Sequence, residues 1–499
     1  MPFETSAPEA ALKDAEIALA RSPSAVEPLF ARARALDRLG RNGPASDAYL
    51  AVLRVDATHL DALSGLGALA IKTGHRNAAK TAFAQASAAH PHRADPHAKL
   101  ALLLAEEGDE AGAREHFETA LRLEPDNNLA HRGMAVLLLK VGRTEAAQRH
   151  GRAGFRGQAD CWPYRGTGQP LSLLLVSSAV GPNVPIERFL DDRVFEKWTL
   201  TPEFFDPNAD LPRHDVVFLG IGDADGCGEA LDAAAAILTR TRARVLNPPH
   251  RVRQTGRAVN AKRLEPIPGV STARTVEWSR EALLAADASE ALAKAGFAWP
   301  LLLRSPGFHG GEYFEQVGRP EDLPGVVARL PGETILVIQF VDTRGVDGKF
   351  RKYRVMMIDG RLYPLHLAVS PQWKVHYFSA DMADRPEHRA EDEAFLQDMP
   401  RVIGPRAMQA LERIRDLLAL DYGGIDFALD GRGTVVVFEA NATMTIVPPA
   451  DDERWRYRAA AVECVERAVR RMLVRAAGRL DESAEAPIGM APRAKLMRP

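Results

Sequence analysis

The chain has 499 residues, 46% of them apolar and 26% charged, with a formal net charge of −2. This length and composition predict a globular protein with roughly two to four domains, because a single core rarely serves so long a chain. The nearly balanced charge gives no electrostatic basis for binding nucleic acid or a membrane surface, so we expect neither as a partner.

Cysteine usage and the N-terminal residues indicate the compartment. The three cysteines are scattered and form no C-x-x-C motif, which is typical of a chain without a disulfide framework in a reducing environment. The first residues carry acidic side chains and no apolar segment, so no signal peptide is predicted. The longest apolar runs are about half as long as a membrane span requires. We therefore predict a cytoplasmic protein.

Similar residues recur at a fixed interval in the first part of the chain, and this interval equals the number of residues from Gly40 to Gly74. Four sets of positions follow it: Gly40, Gly74, Gly108 and Gly142; Ala45, Ala79, Ala113 and Ala147; Ala33, Gly67, Ala101 and Ala135; and the aromatic residues Tyr49, Phe83 and Phe117. The pattern resembles the tetratricopeptide repeat, a helix–turn–helix unit of the same length. The resemblance implies repeats at 26–59, 60–93, 94–127 and 128–161 and a half-repeat at 8–22. We thus expect an N-terminal all-α tetratricopeptide solenoid, residues 1–155.

The recurring glycines fit a left-handed residue at the end of each first helix, and the alanines allow close helix approach. Each helix pair can bury its apolar face only against its neighbours, so the units should stack into a curved solenoid. The resemblance implies a concave face that binds a protein or peptide partner. The alternative is a scaffold that packs only against the C-terminal half of the same chain.

A small α/β domain is predicted after a linker at 156–170, which holds glycine and proline and no periodicity. Apolar runs at 171–177, 216–220 and 244–246 read as buried strands, and 229–240 as an alanine-rich helix. Together they predict a parallel sheet. The glycine-rich loop at 220–228 could be a dinucleotide fingerprint, but its spacing favours a plain flexible loop, beside the substrate.

The segment 421–444 predicts two strands joined by a turn at 431–433. If Asp430 faces Val435, Asp426 lies opposite Glu439; a slip of two residues would place it opposite Asn441. Two carboxylates so paired are about 5 Å apart at Cβ and repel each other, and a divalent cation would remove the repulsion. The apolar run 435–438 predicts an interior strand. The alternative is an exposed hairpin with a polar outer face.

This hairpin resembles the metal-binding end of ATP-grasp enzymes, where an Asp on one strand and an E-x-N on the next hold Mg-ATP. The resemblance implies that Asp426, Glu439 and Asn441 bind Mg²⁺, with Mn²⁺ as a substitute, and that ATP is the cofactor. It implies a pre-ATP-grasp α/β domain at 171–270 and an α+β ATP-grasp fold at 271–475. The tail at 476–499 lacks a pattern and is expected to be disordered.

Nucleotide contacts follow from the same resemblance. The strand before 304 ends in Arg304, where the family carries lysine, and a glycine-rich loop with Gly307, Gly310 and Gly311 follows it. Such loops place backbone N–H groups against phosphate oxygens. The resemblance further implies that Gln339, Phe340 and Val341 meet the adenine edge, that Asp342 approaches the ribose, and that Lys262 contacts phosphate. For Lys262 and its basic neighbours Arg257 and Arg263, the competing interpretation is a solvated basic helix.

A second hairpin is predicted from residue 350, with its turn at Asp359 and Gly360. Lys352 and Arg354 share one of its faces, because side chains alternate along a strand. Arg354 matches the phosphate- or acyl-contacting arginine of the family, and we assign both residues to catalysis. The segment 373–377 is a further candidate for substrate contact, with a surface position as the alternative.

The resemblance implies an ATP-dependent ligase that activates a carboxylate as an acylphosphate, which an amine then attacks. Its substrates would be a small-molecule or peptide carboxylate and an amine. An adaptor that binds nucleotide without turnover is the first alternative, and the replacement of lysine by Arg304 favours it slightly. A phosphotransferase on the same fold is the second, and it would release a stable phosphorylated product without an amide.

Overall fold

The computed structural model describes residues 8–162, 164–308, 310–377, 380–450 and 452–479. The chain divides into two compact units. The first holds the described residues up to Gln158 together with Phe204–Asp206, and the second holds the rest. Of the predicted disordered tail at 476–499, residues 480–499 lie outside the described residues, and Ala476 is instead the last residue of a helix. In the part of the chain that is described, no helix is long and apolar enough to cross a membrane.

Helices in pairs make up the first unit. The described residues form Pro8–Arg21 (α1), Val26–Arg38 (α2), Asn42–Val55 (α3), Leu60–Lys72 (α4), Arg76–Ala89 (α5), Ala94–Glu106 (α6), Glu110–Leu123 (α7), Asn128–Lys140 (α8) and Thr144–Phe155 (α9). Each predicted repeat holds one pair, and α1 is the predicted half-repeat. Gly40, Gly74, Gly108 and Gly142 have φ of 71°, 82°, 84° and 71°. The predicted left-handed glycines and the all-helical solenoid are confirmed.

Buried aromatic rings of the period pack directly against glycines of the neighbouring helices. A Cβ atom added to Gly67 would lie 2.7 Å from the ring of Phe83, and one added to Gly133 would lie 2.0 Å from the ring of Phe117. Both rings are buried. Because no side chain larger than hydrogen fits there without displacing a ring, glycine at these sites sets how closely the helices pack.

The described strands of the second unit form three sheets. The first contains Asp160–Trp162 (β1), Leu171–Val176 (β2), Phe195–Leu200 (β3), Val216–Leu219 (β4) and Arg244–Leu246 (β5), in the order β1-β3-β2-β4-β5, with helix Gly228–Leu238 (α10). Strands β3, β2, β4 and β5 are parallel, so the predicted parallel sheet is confirmed. Strand β3 was not predicted, since its polar residues break the apolar run. The predicted linker at 156–170 is wrong in part, because it contains β1, which pairs with β3.

The second sheet is antiparallel, in the order β7-β10-β8-β9. The elements from 249 to 339 are Pro249–Val252 (α11), Arg257–Leu264 (α12), Val270–Thr272 (β6), Thr275–Ser279 (β7), Arg280–Leu284 (α13), Ala288–Lys294 (α14), Leu301–Arg304 (β8), Phe314–Val317 (β9), Leu323–Arg329 (α15) and Thr334–Gln339 (β10). Leu292 of α14 and Val327 of α15 pack on Leu303 and Ile335 to form a separate core.

The third sheet has the order β12-β11-β13-β14-β6, in which β6 runs parallel to β14 and the other pairs are antiparallel. Its elements are Phe350–Ile358 (β11), Arg361–Ser370 (β12), Pro386–Gln397 (α16), Met399–Leu418 (α17), Tyr422–Leu429 (β13), Val435–Asn441 (β14) and Ala459–Ala476 (α18). Short 3-10 segments lie at Ile186–Phe189, Arg253–Thr255, Pro320–Asp322 and Glu453–Arg458. Asp359 and Gly360 both have positive φ, as the predicted hairpin turn requires.

One core joins the first and third sheets. Leu173 and Phe218 of the first sheet share it with Tyr422 of the third and Val469 of α18. The stretches predicted as separate domains at 171–270 and 271–475 therefore bury apolar side chains against each other. This packing brings the loops at the carboxyl end of the first sheet next to the strands of the third.

Candidate functional site

A cleft with a cavity volume of about 230 Å³ lies between the second and third sheets. The residues that line the cleft change from apolar to charged along the strands. On β8 the lining passes from Leu302 to Arg304, and on β14 from Val436 to Glu439. Since Ile338, near the end of β10, pairs with Leu302, the apolar end of the cleft lies at the segment that follows β10. The cleft therefore has an apolar end and a charged end.

The hairpin of β13 and β14 places Asp426 opposite Glu439, as predicted. The register of the two strands is not the predicted one, because Leu429 and not Asp430 faces Val435. A bulge between Asp426 and Phe427 leaves Phe438 outside the ladder and restores the predicted pair. Phe438 is 45% exposed and lines the cleft. The prediction of a buried run at 435–438 is thus wrong at its last residue.

Asp426 is 3% exposed and is held by two cations of β11. Arg354 donates from Nε to Oδ1 at 2.6 Å and from its terminal nitrogen to Oδ2 at 2.8 Å. The Nζ atom of Lys352 lies 3.2 Å from Oδ2. Burial opposes ionisation of Asp426, but Arg354 and Lys352 outweigh it and keep its pKa below the usual range. The chain's own cations therefore supply the neutralisation that the sequence assigned to a metal.

Glu439 is held from the other side of the cleft. Arg257, the first residue of α12, donates to Oε1 of Glu439 at 2.5 Å and to Oδ2 of Asp225 at 2.9 Å. Asn441 donates from its amide nitrogen to the same Oε1 at 2.8 Å. Its amide oxygen accepts from the N–H and the hydroxyl of Thr443 at 3.0 and 2.8 Å. In this arrangement Asn441 orients Glu439, and its oxygen faces Thr443.

Arg304 differs from the other cations of the cleft, because no carboxylate within the described residues pairs with it. It is 8% exposed, donates to the carbonyl of Phe308 at 2.5 Å and lies 5.2 Å over the ring of Phe314. Its Nε atom has no hydrogen-bond partner among the described residues. Burial, reinforced by repulsion from Arg257, lowers the pKa of Arg304 to about 10. A buried guanidinium in this state is a site for an anion.

Most of the other residues predicted to contact nucleotide line the same cleft. They are Gly310 and Gly311, both with positive φ, Gln339 at the end of β10, and Phe340 and Val341 directly after it. Gln339 uses its own N–H on the carbonyl of Arg274, and its side chain bonds Ala298. Of the three residues predicted to meet an adenine edge, Gln339 is thus the one whose N–H and side chain are bonded within the chain.

Three predicted residues lie elsewhere. Gly307 does not line the cleft but lies against Gly226 of the loop after β4. Asp342 is exposed and pairs with Arg344. Lys262 is exposed on α12 and is not among the lining residues. Arg257 is the basic residue of α12 that lines the cleft. It is the first residue of the helix, and its side chain points inward.

The sequence predicts the loop after β4 as a flexible loop beside the substrate, but it does not indicate which predicted site residues this loop contacts. A Cβ atom added to Gly222 would lie 2.9 Å from backbone atoms of Ala442 and Thr443, and one added to Gly226 would lie 3.2 Å from the Cα of Gly307. This loop, read from the sequence as a flexible one, packs against the end of β14 and the glycine-rich loop. The unusual density of glycines was the available signal, since close backbone approach requires them.

Asn260 and Trp373 also line the cleft. Asn260 is buried and donates to the carbonyl of Ala440 at 2.6 Å, while its Oδ1 has no partner among the described residues. The ring of Trp373 meets Phe314 at 5.2 Å and Phe340 at 6.4 Å. Burial, followed by repulsion from Lys352, lowers the pKa of His376, which also faces the cleft. The predicted contact segment 373–377 thus borders both ends of the site.

The donor set can be tested for a metal. In the described part of the chain, no group of three or more His, Cys, Asp or Glu side chains is arranged to hold an ion. The predicted set has two carboxylates and one amide. Their oxygens are the hard ligands that Mg²⁺ prefers, so the chemistry of Asp426 and Glu439 fits this ion. Each carboxylate is paired with a cation of the chain, so a metal would have to replace such a contact.

Comparisons with known proteins bear on the first unit. The family model of the tetratricopeptide repeat matches residues 104–150. No curated protein shows significant similarity to the chain. The structure of MamA from Desulfovibrio magneticus RS-1 is 22% identical, with 30% of this chain and 84% of that chain covered and a TM-score of 0.28.

Two further solved structures are similar over a comparable share. YrrB, described as a TPR protein with an unusual peptide-binding site, is 19% identical, with 29% of this chain and 75% of that chain covered and a TM-score of 0.27. The TPR protein TTC0263 from Thermus thermophilus is 24% identical, with 30% of this chain and 82% of that chain covered and a TM-score of 0.26.

The fold defines a protein in which an all-helical solenoid precedes a sheet-containing α/β region. The helix pairs of its N-terminal region are tetratricopeptide repeats, as the family match and the left-handed glycines at each turn establish.

Proposed function

We propose that the second unit is an ATP-grasp enzyme that uses Mg-ATP to join a carboxylate to an amine. The observation that carries the proposal is Arg304, a buried guanidinium without a carboxylate partner among the described residues, at the charged end of a cleft whose other end is apolar. A nucleoside triphosphate has the same polarity, with a flat apolar base and a polyanionic tail.

The two ends of the cleft suit the two ends of ATP. Phe438 and Phe340 offer aromatic surface to the base, and the positive-φ glycines Gly310 and Gly311 expose backbone to the phosphates. Arg304 would pair with a phosphate oxygen, which would satisfy its Nε atom. The unsatisfied Nε atom of Arg304 destabilises the unliganded protein. Pairing it with a phosphate oxygen would remove this cost and so contribute to the free energy of binding.

Asp426 and Glu439 would hold Mg²⁺, whose role is to neutralise charge on the phosphates. Lys352 and Arg354 face the same space from β11 and would orient the substrate carboxylate toward the γ-phosphorus. A carboxylate oxygen attacks that phosphorus and ADP leaves; the amine nitrogen then attacks the acyl carbon, phosphate leaves, and the amine loses a proton. Trp373 and Phe340 border the site and would exclude water from the acylphosphate.

The repeat array would bind a protein or peptide, and thereby bring a substrate or a regulator to the enzyme. Support comes from the tetratricopeptide repeats themselves, whose stacked first helices form an extended concave surface. A peptide carboxylate as the acyl substrate would connect the two activities.

A nucleotide-binding adaptor without turnover is the second candidate. It is favoured by one observation, the bidentate hold of Arg354 on Asp426, which commits both oxygens of that carboxylate to the chain's own cation. An adaptor needs no metal-activated phosphate, whereas a ligase does.

The deciding experiment measures nucleotide binding and turnover on the same full-length protein. Calorimetry with ATP and Mg²⁺ should give saturable binding, and Arg304→Met should weaken it at least tenfold, which corresponds to about 1.4 kcal/mol. ADP release over a panel of acids and amines should then show acid- and amine-dependent turnover. Binding without ADP release would select the adaptor, and absence of binding at millimolar ATP would contradict both candidates.

A further inference from the structure

One guanidinium at the charged end of the cleft is shared between two carboxylates on different elements. Arg257 contacts Asp225, in the loop after β4, at 2.9 Å and Glu439, on β14, at 2.5 Å. Its side chain is 10% exposed. Burial opposes its charge, but Glu439, Asp225 and Asp223 outweigh burial and raise the pKa of Arg257. Arg257 is therefore a charged bridge between the first and third sheets.

The two sides of this bridge are unequal. Asp225 also accepts the backbone N–H of Arg257, with 3.1 and 3.2 Å to its two oxygens, and its own N–H donates to Asp223 at 2.9 Å. Asp225 thus fixes both the start of α12 and the guanidinium. The link from Arg257 to Glu439 is a single contact through one terminal nitrogen. The contact that can be exchanged at the lower cost is the one to Glu439.

The second carboxylate of the predicted metal set is held more firmly. Asp426 receives two hydrogen bonds from Arg354 and an ion pair from Lys352, and it is almost fully buried. Removing a cation from a buried carboxylate is expensive. Of the two acids, Glu439 is therefore the one whose pairing a ligand changes first.

We infer that Arg257 exchanges partners when a polyphosphate binds: a phosphate oxygen takes the place of Glu439, Asp225 keeps its hold, and Glu439 is released toward a divalent cation. Asp225 is then a positioning residue, which acts through Arg257. The inference rests on the proposed function. Because one guanidinium serves either the phosphate or Glu439, phosphate and metal favour each other's binding, and the coupling must be reciprocal.

Binding of Mn²⁺ to the full-length protein tests this exchange without reference to turnover. Free Mn²⁺ is measured by electron paramagnetic resonance, with and without a non-hydrolysable ATP analogue, against a sample of analogue alone. Wild type should bind Mn²⁺ weakly by itself and about tenfold or more tightly with the analogue. In Arg257→Gln the nucleotide-free affinity should rise about tenfold, because Glu439 loses its competing cation, and the enhancement by the analogue should shrink.

A matched control is Arg253→Gln, one turn earlier, where an exposed arginine pairs with Asp232 outside the cleft. This change should leave Mn²⁺ binding as in wild type. A merely damaged site would lower the affinity of Arg257→Gln for Mn²⁺, so a rise shows that Arg257 competes with the metal for Glu439, and a smaller enhancement by the analogue shows the exchange with phosphate. Unchanged or weaker binding in a folded Arg257→Gln would overturn the inference.

Asp225→Asn provides a second test should Arg257→Gln unfold. Without its anchor, Arg257 should remain on Glu439, so Mn²⁺ alone should stay weakly bound while the enhancement by the analogue falls several-fold. An enhancement equal to that of wild type would contradict the positioning role of Asp225. If wild type takes up no Mn²⁺ even with the analogue, the proposed metal–nucleotide function fails, and the exchange with it.

Discussion

Arg354 and Asp426 face each other across β11 and β13, and the guanidinium holds both carboxylate oxygens at 2.6 and 2.8 Å. Both side chains are largely buried, and burial opposes the charge of each. Their mutual attraction raises the pKa of Arg354 and lowers that of Asp426, so both stay ionised. Asp426 is therefore held more firmly by Arg354 than Glu439 is by Arg257, which makes a single contact with it.

Removing one partner of this pair should be costly. Arg354→Gln leaves Asp426 buried with Lys352 as its remaining cation, and we expect a loss of about 3–5 kcal/mol in the free energy of unfolding. Urea denaturation, followed by the fluorescence of the second unit, measures it. The control is Arg351→Gln on the same strand, which breaks partly exposed pairs with Asp347 and Glu391. That loss should be about 1 kcal/mol or less; equal losses in both variants would contradict a special role for the Arg354–Asp426 pair.

A histidine pair predicts how the repeat array responds to pH. The Nδ1 atoms of His131 and His150 are 2.9 Å apart, and Nε2 of His131 lies 2.9 Å from the carbonyl of Pro125. His131 therefore donates from Nε2 and accepts at Nδ1 from His150. His97 and His116 repeat the Nδ1 contact one unit earlier, also at 2.9 Å.

Burial, followed by repulsion from His131, lowers the pKa of His150 from its usual 6.5. The unfolded chain then binds the proton more tightly than the folded one, so the stability contribution is complete above pH 6.5 and is lost as the pH falls below it. We expect the helical transition seen by circular dichroism to shift to lower temperature between pH 8 and pH 5. The shift should be smaller in His150→Gln, and a shift as large as that of wild type would show that His150 contributes nothing to it.

Phe438 should contribute to binding and little to stability. The bulge places its ring at the cleft with 45% exposure, so Phe438→Ala removes less buried surface than the loss of a core phenylalanine would. If the ring stacks on a base, the change should weaken ATP binding by about 1–3 kcal/mol, by analogy with base–aromatic stacking elsewhere. Calorimetry and thermal melting measure the two effects. Leu417→Ala, an exposed apolar position away from the cleft, should change neither, and a large fall in melting temperature for Phe438→Ala would place the ring in the core instead.

The parts of the molecule that could be predicted are those set by local sequence. The period of the repeats fixes where each helix ends, because a glycine such as Gly74 takes a left-handed conformation with no distant partner. The pairing of Asp426 with Glu439 was predicted from a register in which Asp430 faces Val435; the structure has another register, and a bulge restores the pair. The bulge at Phe438 could not be predicted, since an aromatic residue in a run of valines has the pattern of a core strand.

Contacts between distant segments explain the rest. Lys262 and Arg257 are equally basic in the sequence, and the choice between them depends on where α12 begins. Asp225 sets that start by accepting the N–H of Arg257 from another loop. In the same way, Gly222 is part of the site because it packs on Ala442 and Thr443, a contact that neither segment indicates alone.

Glu439→Gln tests the central carboxylate. The amide keeps an oxygen that accepts from Arg257 but loses the charge that would neutralise a divalent cation. We expect ATP-dependent turnover to fall roughly a hundredfold or more, because the barrier should rise by about 3 kcal/mol or more when one charged metal contact is lost. ADP release under saturating ATP measures the effect, and full activity in the variant would contradict the proposed reaction.

The same variant separates two views of stability. From the sequence, Asp426 and Glu439 repel each other, and the amide should leave the metal-free protein as stable as wild type or slightly more so. In the structure Arg257 already compensates Glu439 at 2.5 Å, so the amide replaces a charge-assisted hydrogen bond by a neutral one. We therefore expect Glu439→Gln to lose about 1–2 kcal/mol in unfolding free energy without metal.

The decisive comparison is with the double variant Arg257→Gln, Glu439→Gln. Its loss of unfolding free energy should equal that of Arg257→Gln alone, because the single variant has already broken the contact. Strict additivity would mean that the two side chains act independently, and the bridge between the first and third sheets would then contribute nothing to the stability of the site.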